Sequence, residues 1–453
     1  MVERLAKRLL KELYRTPIVP VIVKARENKL MDLVEELKEY RVVEPIEVMS
    51  LIQRLIPINV ELPIYRSFII ERFNMYSVIL PREVVEMYAE DSRVEKIYFD
   101  DVKYVTSFPI VSSEGIYTLT NPKTKKKIEF TSTYWTKKAI GCDVANKKGY
   151  VGRGVNVAVL DTGASDIHEQ LYKRIETKSV YYMQRFDSHG HGTWCCSCIV
   201  GMLSQDDVAS RLTGKPVMCE GMAPECNLLS VKVLGYVIGV GSDCAVIKGL
   251  EEAMNWDAKI VSMSLGGSVR NDNQEDDPYY PVFEKMVSDG IIPVVAAGNE
   301  GPDEGTIASP GWLENALTVG AYDPITGEVA VYSSRGPTPD GRIKPDVVAP
   351  GGGYPDHGIH SAIVNLLDCV GDGILYNRYS PIQGTSMATP HVSGLLACAE
   401  EMYRKLLNKS LTIEEVKTMM QTLGEEKTND YGWGAITWYM FEEWVSTQYG
   451  VEV

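Results

Sequence analysis

The chain has 453 residues, 45% of them hydrophobic and 24% charged, with a formal net charge of −15. At about 100–200 residues per domain, that length makes two domains, or one large domain with an appendage, around a sizeable soluble core. So acidic a chain is unsuited to gripping nucleic-acid phosphates, and no run of roughly 18 apolar residues is present to cross a membrane, so neither nucleic acid nor stable membrane insertion is expected.

The first segment, MVERLAKRLLKELYR, is charged throughout and lacks the apolar core of a secretory signal. A cytoplasmic location is the expectation, with secretion by a route or signal not visible here as the alternative. Leu5, Leu9, Leu10 and Leu13 fall on one helical face, which fits an ordinary packed helix or one lying on a membrane surface. Ile18 to Lys24 reads as a strand, although Pro20 suits an edge or a strand start better than a centre. Leu30–Tyr40 has helical spacing, Ser67–Leu80 is a further strand region, Arg82–Glu90 a helix and Val94–Tyr98 a last strand. Residues 1–102 therefore form a small α+β domain. Within the linker 103–133, YTLTNPKTKKKIEF reads as a hairpin about Asn121–Lys125, whose basic turn is a solvated loop or a place where a protease cuts.

From Trp135 onward the pattern changes. The strand-like runs VNVAVL, NLLSVKVL, KIVSMSL and IIPVVAAG alternate with helical segments after His191, in AVIKGLEEAM and in PVFEKMVSDG. Such alternation implies an α/β domain over 134–453, with a mostly parallel sheet covered on both faces and functional residues at the C-terminal ends of its strands.

The nine cysteines are Cys142, Cys195, Cys196, Cys198, Cys219, Cys226, Cys244, Cys369 and Cys398. Their spacing is not that of a secreted disulfide framework, so reduced thiols are expected. Cys219 and Cys226 flank a short loop and are the expected pair if one forms. Cys195 and Cys198 make a CxxC, but a structural zinc site needs a second pair at matching spacing, so these read as small packing residues.

Four segments carry chemistry. VNVAVL ends in Asp161-Thr162-Gly163, an acid at a strand end. HGHGTW places His191 at the mouth of a helix; an imidazole with a pKa of about 6.5 takes and returns a proton near neutral pH, and a carboxylate on its other nitrogen fixes the tautomer. His189 reads as a surface loop residue. VVAAGNEG puts Asn299 after a buried strand, where its amide can donate to a developing oxyanion. GTSMATPHVSG sets Ser386 at the start of a long apolar helix, beside unpaired N–H groups.

The order Asp161, His191, Asn299, Ser386, each inside its motif, resembles the subtilisin-like serine peptidases, the subtilases. KVLG at 232–235, SMSLGG at 262–267, YSSRG at 332–336, KPDVVAPGG at 344–352 and YGWG at 431–434 extend the resemblance over about residues 130–445. It implies a three-layer subtilisin-like fold and a serine endopeptidase acting on proteins and peptides through an acyl-enzyme. Asp161 would orient, His191 act as base and then acid, Ser386 attack, and Asn299 help form the oxyanion hole. Ser264, Leu265 and Gly266 would pair with extended substrate and line the first specificity pocket, with Gly239 and Gly241 on the opposite edge. Ala308 would form the pocket base and Glu300 its rim, giving a roomy apolar pocket.

RSFIIERFNMYSVILP, with the helix and VEKIYFDD that follow, resembles the ferredoxin-like propeptide of the family. That implies a zymogen whose N-terminal domain chaperones folding, inhibits intramolecularly through its tail and is cut off between about Asp101 and Tyr134. A permanent regulatory domain is the alternative. No cofactor and no active-site metal is implied. Calcium is a structural ion in the family, yet Gln170 stands where a carboxylate ligand is frequent; the acidic loops 204–207 and 271–277 are solvated loops or ion holders. Trp194 replaces a usual second histidine, and Cys195 matches the buried cysteine of proteinase K-like members, under the catalytic histidine. A catalytically silent binding protein and an exopeptidase are the competing functions.

Overall fold

The computed structural model describes residues 18–26, 29–40, 69–70, 75–89, 91–99, 102–104, 115–120 and 127–453, less 182–185, 236–238, 354–356 and 365–377. The leucine-rich segment before Ile18, the loop tip at Asn121–Lys125 and Cys369 lie outside these residues.

The N-terminal unit runs β1 (Ile18–Ala25), α1 (Leu30–Tyr40), β2 (Ile69–Ile70), β3 (Met75–Pro81), α2 (Arg82–Ala89) and β4 (Val94–Phe99). Its sheet has the order β2-β3-β1-β4 with every neighbouring pair antiparallel, the βαββαβ topology of a ferredoxin-like unit. The strand region expected over Ser67–Leu80 holds two strands, β2 and β3, paired antiparallel. β1 is central; Pro20 lies near its start and pairs with Ile79 of β3, while among the described residues the pairing with β4 begins at Val21. Leu33, Val34 and Leu37 of α1 close a small core with Val23, Tyr76, Leu80 and Tyr88.

A short strand β5 (Val102–Tyr104) follows, then a hairpin of β6 (Tyr117–Thr120) and β7 (Lys127–Ser132). The hairpin is woven into the larger domain, since β7 pairs in parallel with β18 (His357–Ala362). Phe130 on β7 is fully buried between the rings of Tyr117 and His360, each 4.8 Å away between centroids. Helix α3 (Thr133–Ala139) leads from the hairpin into the sheet domain.

That domain is built on β8 (Asn156–Asp161), β9 (Ile175–Ser179), β12 (Asn227–Lys232), β14 (Ile260–Met263), β15 (Ile292–Ala296), β16 (Leu317–Tyr322) and β17 (Val347–Pro350). They form one sheet in the order β17-β16-β15-β14-β8-β12-β9, and every pair is parallel. Alternation along β8 serves two cores: Val157 and Val159 face one, Ala158 and Leu160 the other. The first core holds α4 (His191–Val200) and the 23-residue helix that starts at Thr385; the second holds the helices Asp243–Asn255 and Tyr280–Ser288. The chain adds β9 and β12 on one side of β8 and β14 to β17 on the other. This reversal opens a crevice at the strand ends beside β8.

The N-terminal unit docks on the second core. Met75 is fully buried there, and Lys96 reaches across to the Asp276 carboxylate (2.5 Å) and the Glu275 carbonyl (2.8 Å). β5 pairs antiparallel with β13 (Val240–Ser242), with Val240 opposite Tyr104 and Gly241 opposite Lys103.

All eight described cysteines are buried free thiols, so the expected Cys219–Cys226 pair does not form. The Cys219 thiol donates to the His360 carbonyl, whereas Cys226 packs in the first core against a different set of residues.

His391 ties α3 to the long helix: it donates from Nδ1 to the Met387 carbonyl (2.7 Å) and meets the Thr136 hydroxyl at Nε2 (2.6 Å). Burial holds its pKa down to about 4. The unfolded chain therefore takes a proton below about pH 6.5 that the folded chain refuses until about pH 4. Stability contributed by neutral His391 is complete above pH 6.5 and falls by about 3 kcal/mol as pH drops to 4. Thermal melts should show that loss in the parent protein, and His391→Gln, less stable at pH 8, should lose distinctly less on acidification.

Candidate active site

Asp161 is the last residue of β8, His191 the first of α4, and Ser386 the second of the helix α5 (Thr385–Leu407). Asn299 lies three residues beyond β15. All four sit at the C-terminal edge of the parallel sheet. Asp161, His191 and Ser386 have no solvent exposure in this chain.

His191 Nδ1 lies 2.8 Å from Asp161 Oδ1 and 2.9 Å from Oδ2, and Oδ1 also accepts from the Thr162 N–H (2.7 Å). The carboxylate thus claims the Nδ1 proton and leaves Nε2 as the basic nitrogen. Nε2 is buried and has no hydrogen-bond partner among the described residues. The Ser386 hydroxyl donates instead to the Ser264 carbonyl (3.2 Å). Catalytic hydrogen bonds often tighten only when substrate binds. Gly192 has to be glycine, because a Cβ there would stand 2.1 Å from the Gly163 carbonyl and 3.1 Å from Asp161.

The start of α5 is shaped by two residues that forbid ordinary helix geometry. Gly384 has φ 148° and ψ 164°, a conformation essentially reserved for glycine. Pro390 has no N–H to give the Ser386 carbonyl one turn earlier. That carbonyl is taken up by the Ser264 hydroxyl (2.8 Å) and the Cys195 thiol (3.7 Å). Cys195 Sγ is also 3.8 Å from His191 Nδ1, so the thiol does lie beneath the histidine, and burial pushes its pKa well above the ordinary value. Asn299 is oriented by Thr385, whose N–H (2.9 Å) and hydroxyl (3.0 Å) both donate to Oδ1. What the amide can offer a substrate is then its N–H2 group.

Beside Asn299 is a cavity of about 300 Å³, lined by Gly266, Gly298, Glu300, Ala308, Val269 and Pro337 among others. Gly266 and Gly298 keep it open: a Cβ on Gly266 would come within 2.9 Å of the Ala308 methyl, and one on Gly298 within 3.1 Å. Ser264 and Leu265 do not line it, because the Ser264 hydroxyl is spent on Ser386 and Leu265 is buried in the second core. Gly239 and Gly241 flank Val240 on the opposite edge, the one that β5 occupies.

His189 is buried rather than a surface residue, and its pKa is pushed down to about 4 by burial and the neighbouring His191. The loop is pulled inward by Asp187, which sequence reasoning missed. Asp187 Oδ1 accepts from the N–H groups of His189 (2.9 Å) and Gly190 (2.8 Å), and Oδ2 from the N–H (2.9 Å) and hydroxyl (2.7 Å) of Thr193. A capping carboxylate just before a glycine-led helix start was the available signal. Lys232 was missed too, although a lysine closing an apolar parallel strand is out of place without a partner; its Nζ donates to the Thr162 carbonyl (2.6 Å). Trp194 donates to the Ile359 carbonyl (3.0 Å) and packs near His391.

Several residues at the expected ion positions make protein contacts of their own. Gln170 Nε2 donates to the Met202 carbonyl (2.9 Å), so a side-chain amide occupies that carbonyl, and a single amide oxygen is a poor substitute for the six to eight oxygens, roughly, that calcium takes. Asp206 caps the helix Asp207–Thr213 and meets His360 Nε2 (2.9 Å); Asp277 accepts from Ser309 (2.8 Å) and Trp312 (2.7 Å). The Cys198 thiol contacts His391 Nδ1 at 3.4 Å. Asp161, His191 and Cys195 cluster tightly, with the Asp161 carboxylate, His191 Nδ1 and Cys195 Sγ engaged with one another and with the Ser386 carbonyl.

Residues 152–434 match the Subtilase family, more than half of the chain. The chain is 36% identical over 314 residues to serine protease AprX of Bacillus subtilis (strain 168), covering 65% of this chain and 67% of that protein. It is 33% identical over 268 residues to pyrolysin of Pyrococcus furiosus, covering 49% of this chain but 18% of that protein. It is 31% identical over 306 residues to subtilisin Savinase of Lederbergia lenta, covering 67% of this chain and 97% of that protein. With the all-parallel sheet and this set of residues at its strand ends, the chain belongs to the subtilase family and is a serine endopeptidase.

Proposed function

We propose that this chain hydrolyses peptide bonds in extended protein segments through an acyl-enzyme on Ser386. The buried Asp161–His191 contact carries this reading, because its Nδ1 hydrogen bond leaves Nε2 as the basic nitrogen. Nε2 takes the hydroxyl proton as Oγ attacks the carbonyl carbon. The Asn299 amide receives the oxyanion, a contribution worth about 2.7–4 kcal/mol. His191 then protonates the departing amine, and water reverses the sequence to release the acyl group. A silent binding domain would have no physical need for four groups so fully engaged.

The enzyme is made as a zymogen on the same reading. β5 already lies as an added strand on β13, where extended substrate would lie, and Ser386 has no solvent exposure in this chain. The tail after β4 therefore acts as an intramolecular inhibitor, and residues 1–102 leave on activation. Cleavage within β7 is disfavoured, since β7 pairs with β18 and buries Phe130. Purified wild-type protein should digest casein and show an intact mass reduced by its N-terminal domain, while Ser386→Ala should keep its full mass and leave casein uncut. An active protein that retains Met1 would favour a permanent regulatory domain.

The cavity beside Asn299 takes the side chain preceding the scissile bond. Its glycines, Val269, Ile307, Ala308 and two prolines favour large apolar side chains. Profiling with a peptide library should return large apolar residues at that position, and a strict acidic preference would rule this assignment out.

A further inference from the structure

Behind His191 lies a second set of buried charges that the acyl-transfer scheme does not use. Asp187 is 1% exposed, and its carboxylate accepts five hydrogen bonds: from the four donors of His189, Gly190 and Thr193 given above, and from the Thr162 hydroxyl (3.0 Å). Thr162 follows Asp161, and its hydroxyl also accepts from the N–H of Gly192, which follows His191 (2.9 Å). Lys232, also 1% exposed, holds the Thr162 carbonyl. One threonine thus joins Asp161, His191, Asp187 and Lys232. All five donors point at the Asp187 carboxylate, which acts in this network purely as an acceptor. Burial pulls the Lys232 ammonium pKa down, and Asp187 and Asp161 push it back up.

The charges make this more than scaffolding. With His191 neutral, two carboxylates and one ammonium leave one uncompensated negative charge in a dry interior. When His191 takes the Ser386 proton, the imidazolium cancels it. The cluster is electrically balanced only in the protonated state through which acyl transfer passes. The other titratable groups facing His191 are His189, ring to ring at 6.2 Å, and the Cys195 thiol. Both His189 and Cys195 are held neutral by burial. Cys196, beside Asp187, is likewise a buried thiol.

We propose that Asp187 and Lys232 are positioning residues that set the proton affinity of His191, Asp187 raising it and Lys232 lowering it. This inference rests on the acyl-transfer reading. Because the two act with opposite sign, their removal has opposite consequences. In Asp187→Asn, the acid limb of the kcat/KM profile should move down by roughly one pH unit. In Lys232→Met, it should move up by a similar amount. The double variant should return toward the wild-type limb while remaining slower. The losses should fall mainly on kcat, because neither residue touches substrate.

The measurement is kcat/KM from pH 5 to 10 on a peptide substrate, with active sites counted by the acylation burst and folding checked by thermal melts. A purely structural role would lower stability or the active fraction in both variants without moving their limbs apart. Limbs that stay together in folded, burst-competent variants would overturn the proposal. Should Asp187→Asn not fold, Lys232→Met and Lys232→Gln carry the test alone, since an unmoved or downward limb in both contradicts it. A wild type with no acylation burst would instead sink the acyl-transfer reading.

Discussion

The contact between Asp161 and His191 is the constraint around which the catalytic domain is organised. A carboxylate and an imidazole with no solvent exposure are costly to desolvate, and the arrangement holds only while each is hydrogen-bonded to the other. It requires the end of β8 and the first residue of α4 to meet within bonding distance. The parallel sheet provides the first by flanking β8 on both sides. The second depends on Asp187 and Thr162 holding the N-terminus of α4, where Gly190 has no side chain to cap it.

On the proposed zymogen reading, one strand edge serves both substrate binding and its restraint. A protease that holds substrate as an added strand exposes a strand edge, and an unpaired edge takes whatever extended chain is nearest. In this chain the nearest is its own β5, tethered by a docked α+β unit. Tethering makes that pairing intramolecular, which favours even a three-residue strand. On the proposed zymogen reading, removing the tether would turn inhibitor into ordinary competitor, and restraint would use the same kind of backbone hydrogen bonds as substrate recognition.

Much of this was legible in the sequence. The strand-to-helix alternation after Trp135 gave the sheet, because parallel strands buried on both faces are rich in apolar residues without a strict polar alternation, as VNVAVL and IIPVVAAG are. Asp161, His191, Asn299 and Ser386 stood out because each lies in a motif whose glycine adopts a positive φ that other residues rarely reach, at Gly163, Gly190, Gly298 and Gly384. The rest depends on contacts between segments far apart in the chain. Asp187, Thr162 and Lys232 form one network over 70 residues, and nothing local marks them as partners. His189 looked solvated because its neighbours are small and polar, yet the carboxylate of Asp187 draws its backbone inward. Within the strand region Ser67–Leu80, periodicity leaves little trace of the division into β2 and β3.

The central claim is that Ser386 becomes a nucleophile through His191 once the cleft is uncovered. Its most direct test is covalent labelling with a fluorophosphonate, mapped by peptide mass, on the full-length chain and on protein freed of its N-terminal unit. The account predicts a single label on Ser386, slow to form in the intact chain and fast after removal, and absent in His191→Ala. Equal labelling of both forms would contradict the restraint described here, and labelling at another residue, or none in the freed enzyme, would contradict the active site itself.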